Sequence, residues 1–454
     1  MIKLRKLILS FFVILALMLV ACDNAKVCEH QYELFEVVSE ATCTDDGEII
    51  YKCSKCGETK TEIIEALDHD YKEIITDATC VDASYKVVEC SRCHNIKSKI
   101  KVSNALGHKF KDVILEESIN GSVGRKQKVC EVCGEMENEF KYVDNGYSRF
   151  GKLHVNGPDL VDANNNKVQL IGLSTHGLHW YGEYVNEATL RACKDAFNIN
   201  VFRFSLYTSE NGYCECSATK KEQLYQLLLK GVKIATELDM YAIVDWHMLG
   251  EENDNDKNPL YYKEQAKEFF DRITKDLADY DNVFYEIMNE PCGSTTWADC
   301  KKYANEIIPI IRANKPDAIV LVGNPKWSSD LVSPRNYPLD FENIMYTFHF
   351  YAADLKDTSK VTKAYSAGLP IFVTEHGGMD ADGDGAIDRD STNKWYNALD
   401  ARNISYVAWN VSHSRGSSAI LKNKTTNLDD FSNSNLKEWG IFYKNHIRTR
   451  LGLN

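Results

Sequence analysis

From Val168 onward the chain alternates short, nearly continuous apolar runs with longer stretches in which apolar residues recur every three or four positions. The short runs, VQLIGLS, VFRFSLY, MYAIVDWH, NVFYEIMNE, AIVLVGN, IMYTFHFY, LPIFVTE and ISYVAWN, have the length and the β-branched and aromatic content of buried strands. Between them KKEQLYQLLLKGVKIATELD, YKEQAKEFFDRITKDLADY and ADCKKYANEIIPIIRANKPD carry the period of amphipathic helices, and LKEWGIFYKNHIRTRL closes the series. Eight strand–helix units in about 300 residues predict an α/β fold of the (β/α)8 barrel (TIM barrel) kind. Just before them, SRFGKLHVNGPDLVDANNNKVQL reads as a hairpin with turns at Asn156-Gly157 and Asn164 to Asn166.

The first residues follow a third pattern. Lys3, Arg5 and Lys6 precede an apolar run from Leu7 to Val20, short for a membrane span and suited to a cleaved secretory signal. Leu19-Val20-Ala21-Cys22 resembles the bacterial lipobox, which implies export to the cell surface and a lipid anchor to the membrane at Cys22. At 454 residues the chain is long enough for two or three domains. The expected division is a signal at 1–22, a cysteine-rich segment at 23–145 and the barrel at 146–454.

The middle segment is a repeat. His30-x-Tyr32 leads to Ala41-Thr42-Cys43 and Cys53-x-x-Cys56; His69-x-Tyr71 leads to Ala78-Thr79-Cys80 and Cys90-x-x-Cys93; His108-x-Phe110 leads to Cys130-x-x-Cys133. Successive histidines are 39 residues apart both times, giving units near 30–68, 69–107 and 108–145. Units this small need a staple, and a histidine with three cysteines favours a structural zinc-ribbon-like Cys3His site over disulfides. The candidate ligands are Cys43, Cys53, Cys56, His69, Cys80, Cys90, Cys93 and His108. Spacing leaves open whether a histidine serves its own unit or the one before it, as in Cys43, Cys53 and Cys56 with His69. The third unit has Asn120 where the isolated cysteine would fall, so its site is expected to be incomplete. A spacer or adhesion role is expected of these units.

A formal net charge of −13 with no Lys/Arg-rich tract argues against a nucleic-acid partner. Chemistry gathers instead at the C-terminal ends of the barrel strands, which converge on one mouth. There stand His176, Arg203 and Tyr207, His247, Asn289 and Glu290, Trp327, His349 and Tyr351, Glu375 and Trp409. Glu290 and Glu375 end the fourth and seventh strands, on facing sides of an eight-stranded barrel. Two such carboxyl groups flanking a sugar linkage are the minimum for glycoside hydrolysis: one protonates the leaving oxygen, and the other attacks the anomeric carbon or activates water.

Residues 150 to 445 resemble glycoside hydrolase family 5, clan A, and most of all its bacterial cellulase branch. The resemblance rests on IGLSTHGLHWYG, NVFRFSLYT, AIVDWHML, YEIMNEP, VGNPKW, YTFHFYA, FVTEHG and VAWNVS, in that order. It implies a retaining endo-β-1,4-glucanase acting on a β-glucan polysaccharide, with no cofactor for catalysis. Glu290 is then the general acid/base with Asn289 beside it, and Glu375 the nucleophile, kept ionised by Arg203 and hydrogen-bonded by Tyr351. His247 and His349 line the cleavage subsite. Trp180, Trp327 and Trp409 suit the apolar faces of sugar rings, with His176 and Tyr207 as edge donors. A tethered hydrolase needs no partner subunit, so a monomer is expected.

The branch usually has Trp after the nucleophile and Gln in the HGLQW position, where this chain has His376 and His179. Past the eighth strand it commonly offers Lys and Glu, where this chain has Ser414 and Gly416. Mannan, xyloglucan and mixed-linkage glucan therefore stand as alternative substrates, and a non-catalytic surface carbohydrate-binding protein as an alternative role. The Asp380-x-Asp382-x-Asp384-Gly385 run after the seventh strand has calcium-loop spacing, but a strand enters it and Ser391 stands at its twelfth position, so it is expected to shape a loop.

Overall fold

The computed structural model describes residues 28–249, 257–422 and 428–454, so the expected signal and Cys22 lie outside the described residues. The chain divides into two compact units, one from residues up to Lys111 with Val129–Glu135, the other from Asp112–Lys128 and Met136–Asn454.

Each repeat is a three-stranded sheet in chain order. The first contains β1 (Tyr32–Ser39), β2 (Gly47–Cys53) and β3 (Thr59–Ile64), and the second β4 (Tyr71–Thr76), β5 (Ser84–Cys90) and β6 (Ile96–Ser103), all antiparallel. The third contains β7 (Phe110–Glu116), β8 (Gly124–Cys130) and β9 (Phe140–Tyr142). The sheets have almost no hydrocarbon core: β1 is exposed throughout, and so are Leu34, Ile75 and Ile100. Among the described residues of the first unit the buried apolar side chains are Cys43, Cys53, Cys80, Cys90, Cys130 and Val87, so sulfur makes most of the interior there.

In the second unit the expected hairpin is β10 (His154–Asn156) with β11 (Asp159–Val161). Eight parallel strands then close a barrel in chain order, β12 (Ile171–Thr175), β13 (Val201–Tyr207), β14 (Tyr241–His247), β15 (Val283–Glu286), β16 (Val320–Val322), β17 (Ile344–Tyr351), β18 (Ile371–Gly377) and β19 (Tyr406–Val411). The (β/α)8 expectation is met. Helices follow the strands, among them Ala218–Glu237, Lys263–Asp276, Trp297–Asn314 and Arg389–Asp400, and Glu438–Arg450 closes the ring. After β16 the helical pieces are short, Pro325–Ser328 and Val332–Asn336.

The alternation along each strand sorts its side chains. Val201, Tyr241, Ile243, Phe284, Leu321 and Phe372 fill the barrel floor as an apolar plug. Their outward neighbours, such as Phe202, Phe204, Val244 and Trp246, pack beneath the helices. Above the plug the inward positions turn polar, and Arg203 and Asp245 are fully buried there. Helix starts are fixed locally. Thr296 and Asp299 form a reciprocal capping box, and Asp388 accepts from the Ser391 amide at the start of Arg389–Asp400. Asp388 follows the aspartate run read as loop-forming. Asp384 serves the same loop by accepting from the Ser417 amide.

Candidate functional site

Glu290 lies just beyond β15, and Glu375 lies within β18 rather than past its end. Both are buried, and an oxygen of each lies within 4.8 Å of the other and of a His349 ring nitrogen. That separation falls with the shorter of the two carboxyl spacings used by glycosidases, the one at which the second carboxylate reaches the sugar itself with no water between them.

Neighbouring strands hold each carboxylate differently. Arg203, on β13, donates from Nη1 to Glu375 Oε2 at 3.2 Å, and the Tyr351 hydroxyl donates to Oε1 at 2.8 Å. The same guanidinium donates from Nε to Glu286 at 2.7 Å and from Nη2 to Asn289 Oδ1 at 2.6 Å, and it pairs with Asp245 at 3.0 Å. Glu290 faces His349, whose Nδ1 is 2.7 Å from Glu290 Oε1. His349 Nε2 reaches Thr374 at 2.9 Å, and the Thr374 hydroxyl donates to Glu286 Oε1 at 2.7 Å.

These contacts divide the histidines. Burial opposes the charged imidazole of His349, yet the carboxylates of Glu286, 3.8 Å from Nε2, and Glu290, hydrogen-bonded to Nδ1, lift it to about 9. At neutral pH it is a cation donating on both sides. Burial and the nearby Arg203 charge push His247 down to about 3. It is therefore neutral, donating from Nδ1 to Asp245 at 2.6 Å and accepting from the Asn289 amide at 3.3 Å. Burial likewise opposes ionisation of Glu286, but Arg203 and His349 hold it down to about 2.

Tyr207, His247 and Trp409 form one aromatic wall. Tyr207 stacks on His247 with centroids 4.1 Å apart, and His247 on Trp409 at 5.3 Å. His176 and Trp180 extend it, their centroids 5.4 Å apart. Trp180 is 43% exposed, open for a ring to stack, whereas Trp409 is only 7% exposed. Trp327, 47% exposed, lines a cleft of about 440 Å³ together with Glu290, His349 and Tyr351. Its backbone, with that of Lys326 and Ser328, is left-handed at φ near 54–64°, a conformation bulky residues avoid. A larger hollow of about 640 Å³ lies at the N-terminal edge of β17 and β18, lined by His154, Arg335 and Leu369, away from both carboxylates.

Two contributors to the cleft escaped the sequence reading, Glu286 and Thr374. Glu286 lies two positions after Phe284 of the apolar plug, so alternation along β15 was the signal for it. Thr374 had none. The pairing of β18 with β19 shifts register between Val373 and His376, and this irregularity lets consecutive Thr374 and Glu375 both reach the interior. His376 then faces outward. Its Nδ1 is 2.8 Å from the Val407 carbonyl, its Nε2 is 3.2 Å from the Tyr396 hydroxyl, and it is packed among Phe350, Trp439 and Tyr443. It is a core histidine, and its difference from the cellulase pattern does not reach the cleft.

In the first unit the candidate ligands meet in an arrangement the sequence reading did not contain. Cys43 joins His69, Cys90 and Cys93, and Cys80 joins His108, Cys130 and Cys133. Cys53 and Cys56 join Cys28 and His30. The isolated cysteine thus meets neither its own Cys-x-x-Cys nor a histidine that shares that pair. The third cluster is complete despite Asn120. The reason is geometric. In a meander the first loop and the second turn lie at opposite ends of the middle strand, and the seven residues of β2 at about 3.3 Å each put roughly 20 Å between them. Each four-residue set could hold a metal.

A family model described as Cellulase (glycosyl hydrolase family 5) matches residues 161–415. Endoglucanase A of Butyrivibrio fibrisolvens is 43% identical over 302 residues, which cover 66% of this chain and 69% of that one. Among solved structures, Cellulase Cel5C_n superposes with a TM-score of 0.64 at 37% identity, over 67% of this chain and 95% of that one. The catalytic domain of Thermobifida fusca endoglucanase Cel5A, in complex with cellotetraose, gives 0.62 at 34% identity, over 66% and 99%.

Proposed function

Because the chain belongs to the cellulase family, glycosyl hydrolase family 5, we propose that its barrel is a retaining endo-β-1,4-glucanase with Glu375 as nucleophile and Glu290 as acid/base. The observation that carries the reading is the pair of buried carboxylates, with oxygens within 4.8 Å, supported by different partners. Glu375, oriented by Arg203 and Tyr351, attacks the anomeric carbon as Glu290 gives its proton to the departing glycosidic oxygen. The resulting glycosyl ester is then opened by a water that Glu290 deprotonates, and the two inversions restore the starting configuration. Asn289, held between Arg203 and His247, is set to meet the hydroxyl next to the anomeric carbon. His176, Trp180, Tyr207 and Trp409 seat the sugars on one side of the cut, and Trp327 receives a sugar face in the cleft beside Glu290.

The relatives' names and the cellotetraose complex support a cellulose-like glucan as substrate. No step calls on a cofactor. Export, attachment to the membrane through lipidated Cys22 and action as a monomer belong to the same proposal, as does structural zinc in the Cys/His clusters.

The test is Glu375→Gln. Hydrolysis of carboxymethylcellulose is expected to fall by about three orders of magnitude or more, with circular dichroism and cello-oligosaccharide binding unchanged. Wild-type product followed by NMR is expected as the β-anomer first. Substantial turnover by the variant, or an initial α-anomer, overturns the mechanism. Assays on mannan, xyloglucan and mixed-linkage glucan rank the substrates.

A further inference from the structure

The three Cys/His clusters share one geometry. The sulfur of the isolated cysteine (Cys28, Cys43 or Cys80) lies 3.9, 3.6 and 3.7 Å from that of the first Cys-x-x-Cys cysteine, and the second Cys-x-x-Cys sulfur lies 3.3, 3.2 and 3.4 Å from the histidine Nδ1. Thiolates about 2.3 Å and an imidazole about 2.0 Å from one tetrahedral ion stand about 3.8 Å apart sulfur to sulfur and about 3.5 Å sulfur to nitrogen. A disulfide needs about 2.05 Å.

The surroundings point the same way. Each histidine ring packs on the aromatic residue two positions on, Tyr32, Tyr71 or Phe110, which accounts for the His-x-aromatic pattern. With Nδ1 turned to the sulfurs, Nε2 of His30 meets Glu58 at 3.4 Å and Nε2 of His108 meets Glu135 at 3.3 Å. A carboxylate behind a histidine fixes the tautomer and ring angle of a metal ligand. The residue after the second cysteine, Gly57, His94 or Gly134, has φ between 60° and 79°, and its amide donates back to the first cysteine's carbonyl. The turn thus brings both cysteines to one point.

The distribution of cysteines completes the pattern. The first loops of repeats one and two each give one cysteine, Cys43 and Cys80, to the cluster of the repeat that follows. Cys28, ahead of β1, gives the first cluster what no earlier repeat supplies. In the third repeat, where no fourth follows, the matching loop has Asn120.

Resting on the zinc reading above, the geometry points to three Cys3His zinc sites, of which the second and third are each shared between successive repeats, so that the metal links one sheet to the next. Three thiolates with one imidazole in a tetrahedron are a zinc donor set. Each site forms as its thiols lose their protons, and so binds more weakly in acid.

The test uses the purified full chain. Native mass spectrometry is expected to find three zinc ions, and iodoacetamide followed by peptide mapping to find all three cysteines of each set protected until a chelator is added. Cys43→Ser is expected to leave two ions and expose Cys90 and Cys93, with Cys53 and Cys56 still protected. Cys80→Ser is expected to expose Cys130 and Cys133 alone. Cys43→His, which keeps a ligand, is expected to retain three ions, which separates loss of a ligand from loss of fold. If Cys43→Ser exposes Cys53 and Cys56 instead, the shared register is overturned while the zinc reading stands. If the chain holds no zinc and its cysteines have lost hydrogen pairwise as disulfides, the zinc reading itself fails.

Discussion

Fully buried, the Arg203 guanidinium pairs at once with the carboxylates of Asp245, Glu286 and Glu375. Burial alone would favour its neutral form, but those carboxylates raise its pKa further. Replacing it with Met leaves three acidic groups without their counter-charge, and about 3–5 kcal/mol of stability is expected to go, read from urea unfolding. Arg203→Lys restores a charge but not the fork that reaches Glu286, Asn289 and Glu375 at once, so it is expected to regain stability without regaining kcat. The carboxylate pair itself was legible, since Glu290 and Glu375 each follow an unmistakable strand. Glu286 was not singled out, because an acidic residue four positions before another reads as a strand passing through.

The element that most shapes the chemistry is β18. A strand with unbroken alternation would have turned Thr374 and His376 to one face and Glu375 to the other. The register shift is confined to a few residues of ordinary type and leaves no mark in composition, so the outward turn of His376 was not readable. Thr374→Val is expected to cost about 1–3 kcal/mol by stranding the His349 Nε2–H and a Glu286 oxygen, and to lower kcat through His349. His376→Gln is expected to change the melting temperature while leaving kcat alone. A fall in kcat with His376→Gln as large as that with Thr374→Val would place both side chains on the cleft. The meanders were legible in kind but not in pairing, for spacing counts residues along a chain and says nothing of which end of a sheet they occupy.

Across the whole molecule the buried histidines set a narrow window of best stability. His349 has a folded pKa near 9 against about 6.5 unfolded. Its contribution, about 3 kcal/mol, is fully present below about pH 6.5 and is lost as pH rises through 9. His176, His247 and His376 sit near 3, lowered by burial. Below about pH 6.5 the unfolded chain takes up protons these rings refuse, so stability falls toward pH 3. Below pH 4.5 Glu286, held near 2, adds to the loss. A melting temperature highest near pH 6.5 and falling on both sides is expected from calorimetry, and His349→Asn is expected to flatten the alkaline side. The barrel as a fold was legible from periodicity because every strand is buried on both faces, whereas these shifts depend on neighbours from six different strands.

The hand-on of one cysteine from each repeat to the next also bears on how such a chain can vary. An in-frame copy of residues 69–107 would bring its own histidine and Cys-x-x-Cys, accept the cysteine before it and offer Cys80's equivalent to the unit after it. Every donor would still find its place, and the repeat region would grow by one sheet and one Cys/His cluster. Loss of that unit would be equally silent at the junction. Cys28 and Asn120 stand where a series of such units would open and close, so its length can drift by whole repeats without unpairing a cluster.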